Sequence, residues 1–214
     1  MKDFFNDISE KYDLVNDIIT FGLIRVFRRM LFSDVPKAKV CIELAAGTGS
    51  NLPYLLGNYE TIYCVDPSDQ MLAKLTKKFN HEVVIPVCKQ AEEFLNLKAD
   101  CVVVSFGFRN FYDRQKVLEN ITRYLEPGGY LLVMDVFKPK SIIDEFFLKT
   151  FFSFFCIPLG WLITGSRESY EYFFQSIFSF VTYNKFIEDI EKLGFKTLYA
   201  WSFLSLGILK LVKK

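Results

Sequence analysis

The chain has 214 residues, which is enough for one domain with a large core but short for two independent domains. Its 26 basic and 25 acidic side chains give a formal net charge of +1. No excess of positive charge is available to hold phosphate backbones, so we expect no nucleic-acid partner. Hydrophobic residues make up 51% of the chain and aromatic residues 17%. This apolar content is high for a soluble domain and indicates contact with something hydrophobic.

Histidine and cysteine are too few or too scattered for several kinds of site. His81 is the only histidine and stands in a polar turn, so neither a zinc enzyme nor a Ser-His-Asp hydrolase is expected. We interpret the cysteines as reduced core residues, because they are odd in number and lack paired spacing: Cys41, Cys64, Cys88, Cys101 and Cys156. The N-terminus has no apolar segment typical of a secretory signal. We therefore expect a cytoplasmic protein without a metal.

Short β-branched runs alternate with helical patterns through the first two thirds of the chain. Two N-terminal helical segments, 4–16 and 23–32, precede predicted strands at 40–44, 61–66, 82–87, 101–105 and 130–136, with predicted helices between them at 51–57, 68–79, 90–95 and 114–125. Ser68 is a good N-cap for its helix, and Pro127-Gly128-Gly129 predicts a stop before the fifth strand. This alternation predicts parallel strands, right-handed crossovers and helices on both faces of the sheet.

The pattern changes after Pro139. Residues 140–181 hold ten Phe and look mostly helical. Residues 150–166 carry no charge, which approaches the roughly 18–20 residues that a membrane-spanning helix needs, but Pro158 and Gly160 interrupt the run. We favour a helical lid at 139–181 that covers the active site and touches the membrane surface. A plain core segment and a true membrane span are the alternatives.

The C-terminal part completes the predicted sheet. A helix at 183–193 is followed by strands at 195–201 and 205–212, close enough to pair as an antiparallel hairpin. The predicted fold class is α/β, a doubly wound and mostly parallel seven-stranded sheet with an antiparallel C-terminal edge hairpin, plus N-terminal and lid helices. We expect one domain over residues 1–214, with the N-terminal helices at 3–33.

A glycine loop follows the first predicted strand. In Glu43-Leu-Ala-Ala-Gly47-Thr-Gly49 the glycines allow close approach of the backbone to a ligand, and the helix that follows offers unpaired N–H groups. A nicotinamide dinucleotide site would want a third glycine where Leu52 stands. The acid four residues before the first glycine is instead typical of enzymes that bind S-adenosylmethionine. Asp66, at the end of the second strand, is placed to accept both ribose hydroxyls of a nucleoside.

Further motifs extend over nearly the whole chain, from about residue 12 to 207. They are Tyr12-Asp13 with Asn16, Phe21-Gly22, the glycine loop, Ser105-Phe106-Gly107-Phe108-Arg109-Asn110, Leu125-Glu126-Pro127-Gly128-Gly129, Lys138-Pro139, and Glu168-Ser169-Tyr170 with Tyr172, Ser176 and Ile177. With these marks the chain resembles the quinone-biosynthesis C-methyltransferases, which methylate demethylmenaquinol and a benzoquinol intermediate of ubiquinone.

The resemblance implies S-adenosylmethionine as the methyl donor and a polyprenylated quinol as the acceptor. The cofactor-binding positions that it and the loop indicate are Glu43, Gly47, Thr48, Gly49, Asp66, Gln90, Ala91 and Ser105. Glu43 stands where the family usually has Asp, Gln90 where it has Asn or Asp, and the segment after Ala91 is shortened. These departures keep the chemical type at the donor site and bear mainly on substrate preference.

Five residues are candidates for the chemistry on the acceptor. A quinol carbon becomes nucleophilic when a neighbouring hydroxyl loses its proton. Arg109 would stabilise the phenolate as a fixed positive charge, and Asn110 would orient the hydroxyl or a water. Tyr12, Asp13 and Tyr170 are polar members of apolar segments, and any of them could reach a ring oxygen. The structural alternative for Arg109 is an ion pair with Asp113.

Other functions stay open at this point. One is a methyltransferase of another hydrophobic small molecule, and another is a catalytically degenerate scaffold that binds lipid or cofactor. A nicotinamide oxidoreductase is disfavoured by Leu52. The sequence distinguishes neither a naphthoquinol from a benzoquinol acceptor nor a monomer from a homodimer.

Overall fold

A seven-stranded sheet organises the part of the chain that the computed structural model describes, residues 11–95 and 98–214. Its strands are β1 (Ala38–Leu44), β2 (Tyr59–Asp66), β3 (Val84–Cys88), β4 (Ala99–Ser105), β5 (Leu125–Val136), β6 (Phe195–Phe203) and β7 (Leu206–Lys213). Their spatial order is β3-β2-β1-β4-β5-β7-β6. The first five are parallel, and β7 pairs antiparallel with both β5 and β6. The predicted fold class is confirmed.

Nine α-helices occur within the described residues. They are α1 (Tyr12–Ile19), α2 (Ile24–Phe32), α3 (Leu52–Leu55), α4 (Asp69–Lys78), α5 (Arg114–Tyr124), α6 (Ile142–Phe151), α7 (Ile157–Thr164), α8 (Arg167–Phe178) and α9 (Tyr183–Lys192). The predicted N-cap of α4 is confirmed, because the side chain of Ser68 accepts a hydrogen bond from the Met71 N–H. Residues 1–10, where the predicted helix 4–16 begins, lie outside the described residues.

Both faces of the sheet are covered, as a parallel sheet requires. Alternate residues of β4 show the division: Val102 and Val104 belong to the core beneath α5 and α9, and Cys101 and Val103 belong to the core beneath α2, α3 and α4. Four of the five cysteines are buried as predicted, all of them unpaired. The prediction was wrong for Cys88, which is exposed at the end of the edge strand β3.

The predicted helix at 90–95 and the predicted stop before the fifth strand are wrong because tertiary contacts override local signals. Residues 90–95 form a turn and not a helix, since the carbonyl of Glu92 accepts from Asn120 and its carboxylate from the Tyr112 and Asp113 N–H groups. Pro127-Gly128-Gly129 does not precede the fifth strand but lies inside it. β5 begins at Leu125, which pairs with Ala99 before a register shift.

The aromatic segment forms one long helix. α6 and α7 are joined by a π-helical stretch, Phe152–Cys156, so that the helix runs through Ile142–Thr164. Pro158 does not interrupt it as predicted. This proline lies in the first turn of α7, where the hydrogen-bond pattern changes after the π-helical stretch and accommodates a residue with no N–H. The helix packs with α1 and α8 around a third apolar cluster that includes Val15, Phe152 and Ile177.

Candidate active site

A cavity of about 460 Å³ opens at the carboxyl ends of β1, β2 and β4. Its walls are the glycine loop after β1, the residues after β2, the turn after β3, the loop after β4, and parts of α1 and α2. β2 and β3 lie on one side of β1, and β4 and β5 lie on the other, so the strand order reverses at β1. Open α/β sheets bind their ligands at such a switch point, and the volume suits a small molecule.

The glycine loop is tightly packed where it enters α3. A Cβ at Gly49 would lie 2.9 Å from Leu75 and 3.0 Å from Leu52, at a φ of +79°, so this position requires glycine. Gly47 and Thr48 line the cavity, and Gly49 does not. Leu52, which replaces the third glycine of a dinucleotide loop, is fully buried against the sheet.

Asp66 lies at the carboxyl end of β2, lines the cavity and is 7% exposed. Its two carboxylate oxygens accept from the Gly47 and Ser68 N–H groups, both at 2.9 Å. Burial raises the pKa of Asp66, and these two hydrogen bonds oppose the rise. The carboxylate therefore fixes the position of the glycine loop relative to the start of α4.

Asp13 ties α1 to the glycine loop. Its carboxylate accepts from the hydroxyls of Thr48 at 2.7 Å and Ser50 at 2.8 Å, and it forms an ion pair with Lys78 of α4. Burial alone would raise the pKa of Asp13, but the hydrogen bonds from Lys78, Thr48 and Ser50 lower it on balance. Asp13 does not line the cavity, whereas Asn16, almost one turn further along α1, does. The side chain of Tyr12 lies outside the described part of the structure.

Glu43 is buried beside the cavity without lining it. Its Oε1 accepts from Asn51 Nδ2 at 2.8 Å, and Asn51 Oδ1 accepts from Arg28 Nε at 3.0 Å. Burial raises the pKa of Glu43 to about 7, although the Asn51 hydrogen bond and the charge of Arg28 lower it. Arg28 and Asn51 line the cavity. Sequence analysis missed both. Asn51 directly follows the glycine loop as the N-cap of α3, whereas Arg28 reaches the loop only because α2 packs against α3.

The opposite wall contains two polar atoms without a partner among the described residues. Ser105 Oγ and Asn110 Oδ1 are buried and form no hydrogen bond with the described residues. Both residues line the cavity. Asn110 Nδ2 donates to the Phe106 carbonyl at 3.2 Å. Buried polar atoms without partners are costly, so this wall is suited to a ligand that forms hydrogen bonds. Gln90 and Ala91 line the cavity nearby.

Arg109 lies behind this wall, 5% exposed, and does not line the cavity. Its guanidinium pairs with the fully buried Asp135 of β5 at 2.5 Å and donates to the Phe106 carbonyl at 2.9 Å. Arg109 Nε also donates to Ser176 of α8 at 3.2 Å. The alternative partner Asp113 instead caps α5, since it accepts from the Lys116 N–H. Sequence analysis missed Asp135, although an acid inside an otherwise apolar strand is a signal that could have identified it.

Tyr170 of α8 packs between helices and is not at the cavity wall. Its ring rests on Gly160 of α7, where an added Cβ would lie 2.5 Å from the ring atoms. Residues 139–181 contribute no side chain to the cavity lining. The segment contacts α1, and α1 supplies Asn16 to the cavity lining. The predicted lid is therefore connected to the cavity only indirectly, by its packing against α1. Among the described residues, no group of three or more His, Cys, Asp or Glu is arranged to hold a metal ion.

The sheet order, the glycine loop and the strand-end acid together define a class, the Rossmann-like methyltransferases that use S-adenosylmethionine. A SAM-dependent methyltransferase from Thermotoga maritima covers 100% of both chains with a TM-score of 0.72 at 17% identity, which shows the fold. The model of the ubiE/COQ5 methyltransferase family matches residues 1–211. The chain belongs to this family, and it is an S-adenosylmethionine-dependent C-methyltransferase, as predicted.

Two relatives bear the same name. The ubiquinone/menaquinone biosynthesis C-methyltransferase UbiE of Wigglesworthia glossinidia brevipalpis is 38% identical over 192 residues, which are 83% of this chain and 75% of that protein. The UbiE of Haemophilus ducreyi (strain 35000HP / ATCC 700724) is 33% identical over 220 residues, 97% of this chain and 84% of that protein.

Proposed function

We propose that this protein transfers a methyl group from S-adenosylmethionine to a ring carbon of a polyprenylated quinol, a demethylmenaquinol or a benzoquinol of the ubiquinone pathway. One observation carries the proposal. A single cavity at the switch point of the sheet is lined by most of the predicted cofactor positions, namely Gly47, Thr48, Asp66, Gln90, Ala91 and Ser105. The family relatives named for ubiquinone and menaquinone biosynthesis supply the acceptor class.

The cavity fits the donor in its chemistry. Asp66 offers carboxylate oxygens for ribose hydroxyls, and Gln90 with Ala91 forms a wall suited to the adenine. On the opposite side, Ser105 Oγ is one of the two buried polar atoms of the cavity wall that have no partner among the described residues. Glu43 acts on the donor site through Asn51, and Gly49 acts through the packing of the loop. When bound, S-adenosylmethionine supplies a methyl group already activated by its sulfonium centre.

The residues of the chain then need to orient the acceptor and stabilise the charge that develops on it. Asn110 presents its unpartnered amide oxygen to the cavity, where it would accept a hydrogen bond from a ring hydroxyl or a water. Arg109 provides a positive charge behind Phe106, and Asp135 holds that charge in place. We propose that Asp13 and Tyr170 position the helices around the acceptor and do not contact it, since Asp13 binds the glycine loop and Tyr170 packs against Gly160. Tyr12 is assigned the same role by its place on α1.

The proposal includes a cytoplasmic location at the surface of the membrane, where a polyprenylated quinol resides. The helix Ile142–Thr164 is long and apolar enough to cross a membrane, by length and composition only, and 17% of its most apolar stretch is buried. Phe154 and Leu162 are each 82% exposed. We favour a helix that lies in the interface over one that spans it, because α1 and α8 cover its inner side.

Replacing Asp66 tests the donor site. Asp66→Ala removes an acceptor for two ribose hydroxyls, and hydrogen bonds to a charged group are worth about 1.5–3 kcal/mol each. We expect S-adenosylmethionine affinity, measured by calorimetry, to fall by about tenfold to several hundredfold. Asp69→Ala, on the first turn of the neighbouring helix and outside the cavity lining, is the matched control. Undiminished binding by a folded Asp66→Ala protein would contradict the donor assignment.

A further inference from the structure

Arg28 is the only lysine or arginine among the described residues that line the cavity. It projects from α2 and is partly buried. The other charged lining residues are acids, Asp66 and Glu92. Glu92 is already occupied, since its carboxylate accepts from the Tyr112 and Asp113 N–H groups. Any anionic group of a ligand is therefore most stable at the Arg28 end of the cavity.

The guanidinium of Arg28 is held by a buried relay. Asn51, 4% exposed, accepts from Arg28 Nε at 3.0 Å and donates to Glu43 at 2.8 Å. The amide uses its oxygen towards one side and its nitrogen towards the other, which fixes its orientation. Glu43, 1% exposed, is anchored in β1. The relay thus fixes a flexible side chain from α2 relative to the rigid sheet.

The cavity-lining residues that α1 and the glycine loop contribute, Asn16, Thr48 and Ser50, are polar and uncharged. Thr48 and Ser50 donate to the carboxylate of Asp13, whose charge is paired with Lys78. S-adenosylmethionine carries one anionic group, the carboxylate of its amino-acid part, at the opposite end from its adenine. If Asp66 holds the ribose, the amino-acid part extends towards the glycine loop and α2. A guanidinium is well suited to bind a carboxylate through parallel hydrogen bonds.

We propose that Arg28 binds the carboxylate of the donor's amino-acid part, and that Asn51 and Glu43 are positioning residues that hold Arg28 for this contact. The inference rests on the proposed function, because it takes S-adenosylmethionine as the ligand of the cavity. It assigns to α2 a direct part in donor binding. It also explains why the glycine loop is preceded by a buried acid that does not itself reach the cavity.

Calorimetric binding of two ligands to wild type and Arg28→Met tests the proposal. The ligands are S-adenosylhomocysteine and its decarboxylated analogue, which differ only in the carboxylate. In wild type we expect the analogue to bind about tenfold to a hundredfold more weakly. In Arg28→Met both ligands should bind equally, at about the affinity of wild type for the analogue. Arg28→Met that still prefers the carboxylate as strongly as wild type would overturn the proposal.

Three further variants make the result specific. Arg29→Met, the exposed neighbour on α2 that does not line the cavity, should keep the full preference. Arg28→Lys should keep part of it, which guards against a folding defect in Arg28→Met. Asn51→Leu should reduce the ratio between the affinities for the two ligands. An equal loss for both ligands in Asn51→Leu would overturn the positioning role. If wild type bound neither ligand, the proposed function itself would fail.

Discussion

The buried pair between Arg109 and Asp135 lies behind the cavity wall that contains Ser105 and Asn110. Both side chains are at most 5% exposed, and the pair also fixes the loop after β4 through the Phe106 carbonyl. The guanidinium carbon lies 4.5 Å from the centre of the Phe173 ring of α8. The pair stabilises the fold, and because it carries no net charge, its effect on negative charge in the neighbouring cavity is that of a fixed dipole.

Substitutions at this pair separate the two effects. Arg109→Ala leaves Asp135 buried without its partner, so we expect a loss of about 3–5 kcal/mol in stability and a fall in kcat of about 10²-fold or more. Adding Asp135→Asn removes the buried charge and should restore much of the stability measured by denaturation, while kcat stays low. If the double variant regains wild-type kcat, Arg109 has only a structural role.

Glu43 gives stability a distinct pH dependence. Its pKa is raised from 4.5 to about 7 by burial, so between these values the folded protein binds the proton more tightly than the unfolded chain does. The contribution of Glu43 to stability therefore falls as pH rises through this window. We expect Glu43→Gln, which keeps an acceptor for Asn51, to exceed wild type by roughly 1–3 kcal/mol at pH 8 and to match it at pH 4.

Denaturant unfolding of both proteins across this pH range checks the prediction. Cys64 approaches the other carboxylate oxygen at 4.0 Å and is too weak a donor to compensate for the buried charge. The same stability difference at pH 4 and pH 8 would contradict the account of Glu43, because a pH-independent difference reflects packing and not ionisation.

At the scale of elements, α1 and the long helix form one unit beside the sheet. Val15 and Ile19 of α1 pack in the same apolar cluster as Phe152 of the long helix, and the ring of Phe21, just after α1, stacks on Phe155 at 5.3 Å. On the other side, Asp13 joins α1 to the glycine loop and Lys78. α1 therefore contacts the long helix on one side and the glycine loop on the other.

The outer side of the long helix is apolar and exposed. Ile143, Phe147, Phe154 and Leu162 are between 56% and 82% exposed, at spacings of four, seven and eight residues that place them on one helical face. An exposed apolar face of this size marks a site for a partner or a membrane. Lys149, in the same helix, is exposed and pairs with Glu145 one turn earlier.

Replacing Phe147, Phe154 and Leu162 with Ser together tests this face. Burial of each of these side chains in a membrane contributes about 1.5–3 kcal/mol to the binding free energy. The triple substitution should therefore weaken binding to lipid vesicles by at least about 10²-fold. Co-sedimentation measures it, with Phe203→Ser as control because Phe203 is 63% exposed on β6. We also expect amide exchange in the helix to slow when vesicles are added.

Unchanged sedimentation by the triple variant, or exchange that is already slow without lipid, would favour a plain core segment. Extraction only by detergents that dissolve the bilayer would favour a membrane-spanning helix over an interfacial one.

Sequence patterns predicted the elements whose signals are local. The side chain of Ser68 caps α4 by accepting from the Met71 N–H three residues later, and the alternation of strands and helices is enough to predict parallel strands with helices on both faces. The turn at 90–95 and the early start of β5 at Leu125 depend on distant partners, Asn120 and Ala99 respectively. Such contacts leave no periodic signal in the segments themselves.

The same distinction holds within the site. Gly47, Thr48 and Asp66 follow directly from a strand–loop–helix pattern, and the structure places all three at the cavity. Arg28 lies in a helix without a motif, and Asp135 lies in β5 beyond the motif Leu125–Gly129. Their positions depend on how α2 and β5 pack on the sheet, which pattern analysis does not resolve.

At the scale of the whole molecule, the cavity at the switch point of the sheet and the apolar helix lie on opposite sides of α1. The cavity receives Asn16 from α1, and the helix receives Val15 and Ile19. This arrangement suits an enzyme with a water-soluble donor and a membrane-borne acceptor. The ring of the acceptor would approach Asn110 while its isoprenoid tail stays with the apolar helix.

Methyl transfer to quinols tests the central claim most directly. Purified protein is incubated with vesicles that carry reduced demethylmenaquinol or the benzoquinol precursor and with S-adenosylmethionine labelled in its methyl group. We expect label in the extracted quinol, on a ring carbon, and a loss of at least about tenfold with Asp66→Ala at subsaturating donor. A folded protein that binds the donor yet labels neither quinol would contradict the account.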